Sequence, residues 1–297
     1  MSNYIEYKDK LAFHPGYYIK ELVDASGLTQ EDYAKRLGTT PKNLSVLLRG
    51  EQRLSIDIAM KLSRMLGTSV AFWLNLQRTF DEKLAEILSD EELAREREVF
   101  KLIDYRFFWE NFGLPELPGQ EDEQIKCLRE FLSVSSLTVL EEKDLAVSFC
   151  SCRKALDPKH IANANAVLQI AVNRAAKEDG PNYNKKKFSK AVSLVLKSFE
   201  SHKDSFKEIS EAFRDAGVLL IMLPELSDAG IKGASKRVAG KVMLLLCRGE
   251  NSPADLWFTL FHEVGHILSG ELGYAYDSLS EDGADFFAKS TFLSLSR

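Results

Sequence analysis

Cysteine is scarce in this chain, with four residues in 297, Cys127, Cys150, Cys152 and Cys247, and no C-x-x-C pair. Neither a disulfide framework nor a cysteine-rich metal site is expected, and free thiols in a reducing compartment are the natural reading. Long apolar runs are missing as well. The longest, VLLIML at 218–223 and VMLLLC at 242–247, fall far short of the roughly 20 residues that cross a bilayer, and the opening MSNYIEYKDK holds no apolar signal core. Together these absences predict a cytoplasmic protein with no membrane partner. Proline (8) and glycine (17) are too few for a collagen-like or low-complexity chain, and 45% hydrophobic with 28% charged residues is ordinary globular usage. The length allows about two domains of ~150 residues.

A strong net charge is also lacking, but the total of −5 hides a division. Residues 1–80 carry 11 basic against 8 acidic side chains, residues 81–130 carry 7 against 15, and the remainder is balanced. Within the first part, the stretch from Lys35 to Arg64 holds seven basic residues and only two acidic ones, Glu51 and Asp57. A local basic patch on an acidic protein raises the question of nucleic acid.

The first eighty residues are punctuated by helix starts and stops. Pro15 after His14 suits a first helical turn and Gly27 ends that run; Thr29 is an N-cap with Asp32 three residues on, and Gly38 stops the helix. Thr40 caps a third helix with Pro41 at its first position, ended by Gly50. Ser55 or Asp57 opens a fourth, closed by Gly67, and Ser69 opens a fifth. The pattern predicts a five-helix bundle with Leu28, Ala34, Leu37, Leu44, Leu47, Ile58, Leu62 and Leu66 in its core. The short link between the second and third helices implies a helix-turn-helix, with the third helix presented to a DNA major groove. Its polar face offers Lys42, Asn43, Ser45 and Arg49 behind the cap Thr40, with Gln30 and Arg53 placed for the phosphate backbone; Asn suits adenine, and Arg or Lys suits guanine or phosphate. Leu44, Leu47 and Leu48 are expected to turn inward.

The run from HPGYYIKELVDASGLTQEDYAKRLG through NLSVLLRG to FWLNLQ resembles the Cro/repressor-type (XRE) helix-turn-helix domain, in its HigA-like antitoxin branch, over about residues 13–78. The resemblance implies a homodimer on a double-stranded DNA operator and a possible toxin partner. Pro41 and Lys42 stand where a Ser-Gln or Arg-Gln pair is common, so no operator preference carries over.

From Asp81 the sequence reads as acidic and helical, with SDEELAREREVFKLIDYRFFWENFG predicted as one long helix ended by Gly113 and LPELPGQEDE as a linker. Further helices follow to about residue 216, broken at KEDGPNYNKKK. His160 and His202 read as isolated surface residues.

Beyond Gly217 the period changes. GVLLIMLP and GKVMLLLC are short apolar runs bounded by Gly and Pro, which predict buried strands. They precede a helical stretch from about Pro253 to Gly270 that contains His262, Glu263 and His266, an HExxH pattern. Positions i and i+4 share one helix face, so both imidazoles can reach one Zn²⁺, while Glu263, about 100° round the helix, can take the proton of an attacking water and pass it to a leaving amine. The longer HExxHxxGxxH pattern is excluded, because Ser269 and Leu272 occupy its glycine and histidine positions. Glu271 lies too near the end of the same helix to close the site. Glu281, opening EDGADFFAKSTF, is the better third ligand; Asp285, four residues on, can hold the outer nitrogen of a zinc-bound histidine, and Phe286 or Phe287 would pack the second helix on the first.

This combination of GASKRVAGKVMLLL, FTLFHEVGHIL and the ExxADxFA pattern at Glu281–Ala288 resembles the ImmA/IrrE metallopeptidase family over about residues 215–290. The resemblance implies a zincin-like α+β domain with His262, His266 and Glu281 as zinc ligands, Glu263 as general base, and a regulator or partner protein as substrate. Gly283 departs from the pattern, and the chain stops sixteen residues after Glu281, where members of the family continue. Two functions therefore stand side by side: a DNA-binding regulator with its own zinc peptidase, and a non-catalytic repressor or antitoxin whose zinc domain is a sensor or structural module. The expected fold is mainly α, divided as a helix-turn-helix domain at 1–80, a helical connector at 81–200 and a metallopeptidase domain at 201–297.

Overall fold

The structure, a computed structural model, describes residues 3–142, 157–200, 206–249, 253–270 and 278–295. Cys150, Cys152 and His202 lie outside the described residues. The chain is mainly helical with a small sheet, and its internal contacts divide it into two units, Met1–Ala94 and Arg95–Arg297.

The first unit opens with an antiparallel hairpin of β1 (Tyr4–Tyr7) and β2 (Lys10–Phe13), in register from Tyr4↔Phe13 to Tyr7↔Lys10. The helical reading of this end did not include it, because the Lys8-Asp9 turn lacks the Asn-Gly chemistry that announces a hairpin; Lys8 takes a positive φ of 54° instead. Helices α1 (Pro15–Ala25), α2 (Gln30–Leu37), α3 (Pro41–Leu48), α4 (Ile56–Leu66) and α5 (Val70–Phe100) follow. Thr29, Thr40 and Ser55 cap α2, α3 and α4 with their hydroxyls, and Gly38 and Gly67 close α2 and α4 in the left-handed conformation. Ile19, Val23, Tyr33, Ala34, Leu37, Leu44, Leu47, Leu48, Leu54, Ile58, Ala59, Leu62 and Trp73 form the buried core, with Leu28 and Leu66 packed against it.

Two expectations need correcting. The fifth helix is not contained in the first eighty residues: α5 runs 31 residues, from Val70 to Phe100. Nor does one helix reach Gly113. The chain turns at 101–104, and Asp104 caps a separate α6 (Tyr105–Phe112), its carboxylate accepting the Arg106 amide, before Gly113 ends it. Aspartate inside an apparently helical stretch competes for backbone amides and starts a new helix.

The second unit continues with α7 (Glu121–Leu132), a 3₁₀ turn at Leu137–Glu141, α8 (Pro158–Lys177), α9 (Lys185–Glu200) and α10 (Phe206–Asp215). Its sheet holds β3 (Val218–Pro224), β4 (Gly233–Val238) and β5 (Lys241–Arg248) in the order β3-β5-β4, with β3 parallel and β4 antiparallel to β5. Central β5 is buried at all but its last residue, which explains an unbroken apolar run in place of alternation. Helix α8 packs on this sheet. The buried Glu96 carboxylate accepts the Leu137 amide at 2.8 Å and Arg129 Nη1 at 3.0 Å. Helices α11 (Pro253–Ser269) and α12 (Ser278–Leu295) complete the unit, joining a core that includes Phe188, Phe213, Val242, Leu244, Phe261, Val264 and Ala288.

Candidate nucleic-acid interface and candidate metal centre

The HPG triplet that opens the first helix is a packing device. His14 is almost fully buried as the N-cap of α1; its Nδ1 accepts the Gly16 amide at 2.9 Å, its ring meets Phe80 edge-on at 5.0 Å, and Pro15 occupies the first helical position. Burial pushes the His14 imidazole below its ordinary pKa of 6.5, against a hydrogen bond with the Gln52 backbone and the field of Asp81. Gly16 is required because a β-carbon there would lie 2.0 Å from the Leu47 carbonyl oxygen on α3. On α5 and the turn before it, Trp73 donates to Thr68 Oγ1, and buried Gln77 accepts the Leu54 amide at 2.8 Å while donating to Asp81. Gly16 sets the approach of α1 to α3, and Trp73 shares the buried core with Leu44, Leu47 and Leu48. His14 before Pro15 marks the helix start in the sequence, but nothing in the sequence marks Gln77 as buried.

Helix α3 buries Leu44, Leu47 and Leu48 and leaves its polar side outward. Lys42 is exposed and forms no ion pair with a described residue, and Gln30 is exposed at the first turn of α2. Thr40 acts on its own helix, accepting the Asn43 amide at 3.1 Å. The Asn43 side chain is partly engaged: Nδ2 donates to Thr39 Oγ1 at 2.8 Å and Oδ1 accepts from Gln52 Nε2 at 2.7 Å. Arg49 gives Nε and Nη2 to the two carboxylate oxygens of Glu51, each at 2.8 Å, and Nη1 to Ser45 Oγ at 2.6 Å. The Glu51 hydrogen bonds raise the Arg49 pKa, and the guanidinium in turn lowers that of Glu51. Arg53 pairs with Asp81. Gln52 and Glu51, which brace Asn43 and Arg49, lie beyond α3 and carry no mark of that role in the sequence.

In the second unit, α11 presents His262, Glu263 and His266, all buried. The Nε2 atoms of His262 and His266 face each other at 3.0 Å, with ring centroids 4.7 Å apart. Behind His262, its Nδ1 lies 3.1 Å from Asp285 Oδ1 on α12, and Lys289 reaches the other Asp285 oxygen at 3.3 Å. Two glycines make this closeness possible. A β-carbon on Gly265 would stand 3.2 Å from Ala284 Cα, so Gly265 and Ala284 let α11 and α12 touch; one on Gly233 would meet Thr259 at 2.6 Å and Glu263 Cγ at 3.0 Å, so β4 lies directly against Glu263. Lys232, Gly233, Asp255, Phe258, Thr259, His262, Glu263 and Asp285 line a cleft there. Of the two phenylalanines expected between the helices, Phe287 packs into the core, whereas Phe286, about 100° round α12, is 73% exposed.

Two imidazole nitrogens at this separation suit one tetrahedral cation, for which nitrogens at about 2.05 Å stand roughly 3.3 Å apart. Among the described residues no third histidine, cysteine or carboxylate completes a three-ligand group. Glu281 lies on α12, but its side chain, like residue 271, is outside the described residues.

The fold and surface of the first unit define a helix-turn-helix domain of the regulator class. Residues 19–73 match the helix-turn-helix family HTH_3. The chain is 34% identical over 90 residues to the uncharacterized HTH-type transcriptional regulator YddM of Escherichia coli, a match that spans 30% of this chain and 94% of that protein. It is 33% identical over 76 residues to virulence-associated protein I of Dichelobacter nodosus, across 25% of this chain and 70% of the other. Among solved structures, an addiction module antidote protein of a HigA family from Coxiella burnetii is 30% identical, with 28% of this chain and 91% of that chain covered and a TM-score of 0.26. Through its amino-terminal domain the chain belongs to the helix-turn-helix family.

Proposed function

We propose that this chain is an antitoxin-like transcriptional regulator that binds a double-stranded DNA operator as a homodimer and carries a zinc-dependent endopeptidase site. The observation that supports DNA binding is the exposed polar side of α3, joined to α2 by only Gly38–Thr40 and packed through Leu47 against Gly16 of α1. Lys42 and Gln30 supply the phosphate-facing contacts, and Asn43 and Arg49 the base-facing ones.

The zinc reading is supported by the convergence of His262 and His266 at 3.0 Å with Asp285 behind the first of them. A carboxylate on Nδ1 fixes the tautomer that leaves Nε2 as a lone-pair donor. His262 and His266 would hold the metal, with Glu281 as third ligand. Bound there, zinc supplies Lewis-acid polarisation of a peptide carbonyl. The chain's own part is the rest of the chemistry. Glu263 accepts a proton from the attacking water and returns it to the departing amine, and Gly233 keeps β4 close enough for an extended peptide to lie along the cleft. The substrate class is a protein, a regulator or a bound partner.

Metal analysis of the full chain beside its His262→Ala and Glu263→Gln variants tests the zinc site, with one zinc expected in the wild type and in Glu263→Gln and none in His262→Ala. Retention of a fluorescent duplex from the chain's own promoter, measured against salt, tests the DNA reading; affinity that ignores salt sinks it.

A further inference from the structure

Arg49 stands where α3 ends, and the way the helix ends determines what holds it. As the C-cap it is followed by Gly50 at a φ of 72°, and this left-handed step lets the Gly50 amide bond the Leu47 carbonyl at 3.0 Å and the Glu51 amide the Val46 carbonyl at 3.1 Å. The reversal returns the Glu51 side chain to the flank of Arg49. Of the five guanidinium hydrogens, Nε–H and one on Nη2 go to the carboxylate and one on Nη1 goes to Ser45, four residues back on the helix. One hydrogen on each terminal nitrogen is left for a further acceptor.

We infer that Glu51 and Ser45 are positioning residues that hold Arg49 as a preset fork for a guanine edge in the major groove. The inference rests on the DNA-binding reading proposed above and names a base for one position of the operator. A guanine presents N7 and O6 as paired acceptors to such a fork. A phosphate would accept the same hydrogens, but its attraction is mainly for net charge, and the Arg49–Glu51 pair is electrically neutral. Pairing with Glu51 therefore weakens the nonspecific part of the contact and keeps the directional part. It also removes side-chain freedom that binding would otherwise have to remove. Lys42, which has no such partner among the described residues, is the complementary case and suits phosphate.

The test uses the full chain and a pool of duplexes of randomised sequence, from which a preferred site is selected. Each guanine of that site is then replaced in turn by 7-deazaguanine, which lacks the N7 acceptor. The wild type should lose about ten-fold in affinity at one guanine. Arg49→Ala should be indifferent to the replacement there, and Arg49→Lys, which keeps the charge without the fork, should retain general affinity while losing the same discrimination. Glu51→Ala should blunt the discrimination with unchanged thermal stability and equal or higher affinity for unrelated duplexes; Glu51→Gln, with one acceptor in place of two, should fall between. If Arg49→Ala weakens all duplexes alike and lowers the salt slope by about one, Arg49 is a phosphate contact and the inference is overturned. Full discrimination in Glu51→Ala overturns it as well, by leaving Glu51 no positioning role. Absence of salt-dependent binding to any duplex removes the DNA reading itself and this inference with it.

Discussion

Gly16 on α1 lies so close to Leu47 on α3 that a β-carbon would fall 2.0 Å from the Leu47 carbonyl oxygen. The neighbour is backbone, so only a shift of a whole helix could relieve the clash. Gly16→Ala should destabilise the amino-terminal unit by about 3 kcal/mol, the upper end of overpacking costs. Denaturant unfolding of the full chain carrying Trp109→Phe and Trp257→Phe, followed through the remaining Trp73 fluorescence, measures it, and a loss below a few tenths would mean that α1 and α3 are not held in this contact.

His14 makes the same unit sensitive to acid. Burial holds the folded-state pKa below the unfolded value of 6.5, so the unfolded chain takes up the proton first. The stabilisation is complete above about pH 6.5 and is lost as pH falls through that value towards the folded pKa, because protonation of Nδ1 also ends its acceptance of the Gly16 amide. His14→Asn keeps a capping acceptor without a titration. Its stability should be lower at neutral pH and flatter from about pH 7 to 5; an equal slope in both proteins would assign the acid response to another group.

Lys42 and Asn43 are neighbours with different surroundings. Lys42→Ala should weaken binding to all duplexes and lower the salt slope by about one. Asn43→Ala removes a side chain bonded to both Thr39 and Gln52. It should relax base preference by about 1–3 kcal/mol and lower thermal stability as well, since the α3 brace goes with it. Binding curves against salt, with melting curves beside them, separate the two.

Glu263 forms no metal bond in the proposed mechanism. Glu263→Gln should keep zinc, stability and DNA affinity while abolishing cleavage of a co-expressed partner or regulator. His262→Ala should lose zinc and cleavage together. If His262→Ala alters transcription in cells while Glu263→Gln behaves as wild type, the metal is needed without hydrolysis, and a sensor or structural domain is the better description.

Asp285→Ala should lower zinc affinity by about 10- to 100-fold, the usual effect of losing the partner behind a ligand. Gly265→Val should lower it too, although no donor atom is touched, because the added methyls would force α11 from Ala284. Glu281→Ala should have the largest effect of the three. Zinc titration against a competing chelator ranks them, and unchanged affinity in Glu281→Ala would move the third ligand elsewhere.

Local chemistry written in consecutive residues was legible without a structure. Thr29, Thr40 and Ser55 announce their helices because a hydroxyl bonds an amide three residues on, and Gly38 and Gly67 end theirs because a left-handed φ is cheapest in glycine. The apolar run of β5 and the i, i+4 spacing of His262 and His266 are legible in the same way. Long-range closeness has no such local mark. The glycine of HPG reads as a helix start until Leu47 is seen across from it, and that of HEVGH reads as spacing until Ala284 is. The fork on Arg49 depends on a turn that brings Glu51 back beside it, and the brace on Asn43 on Gln52, nine residues away. Residues of one helix share a face by geometry alone, whereas residues on different elements meet only when packing of the whole core has fixed the distance between them.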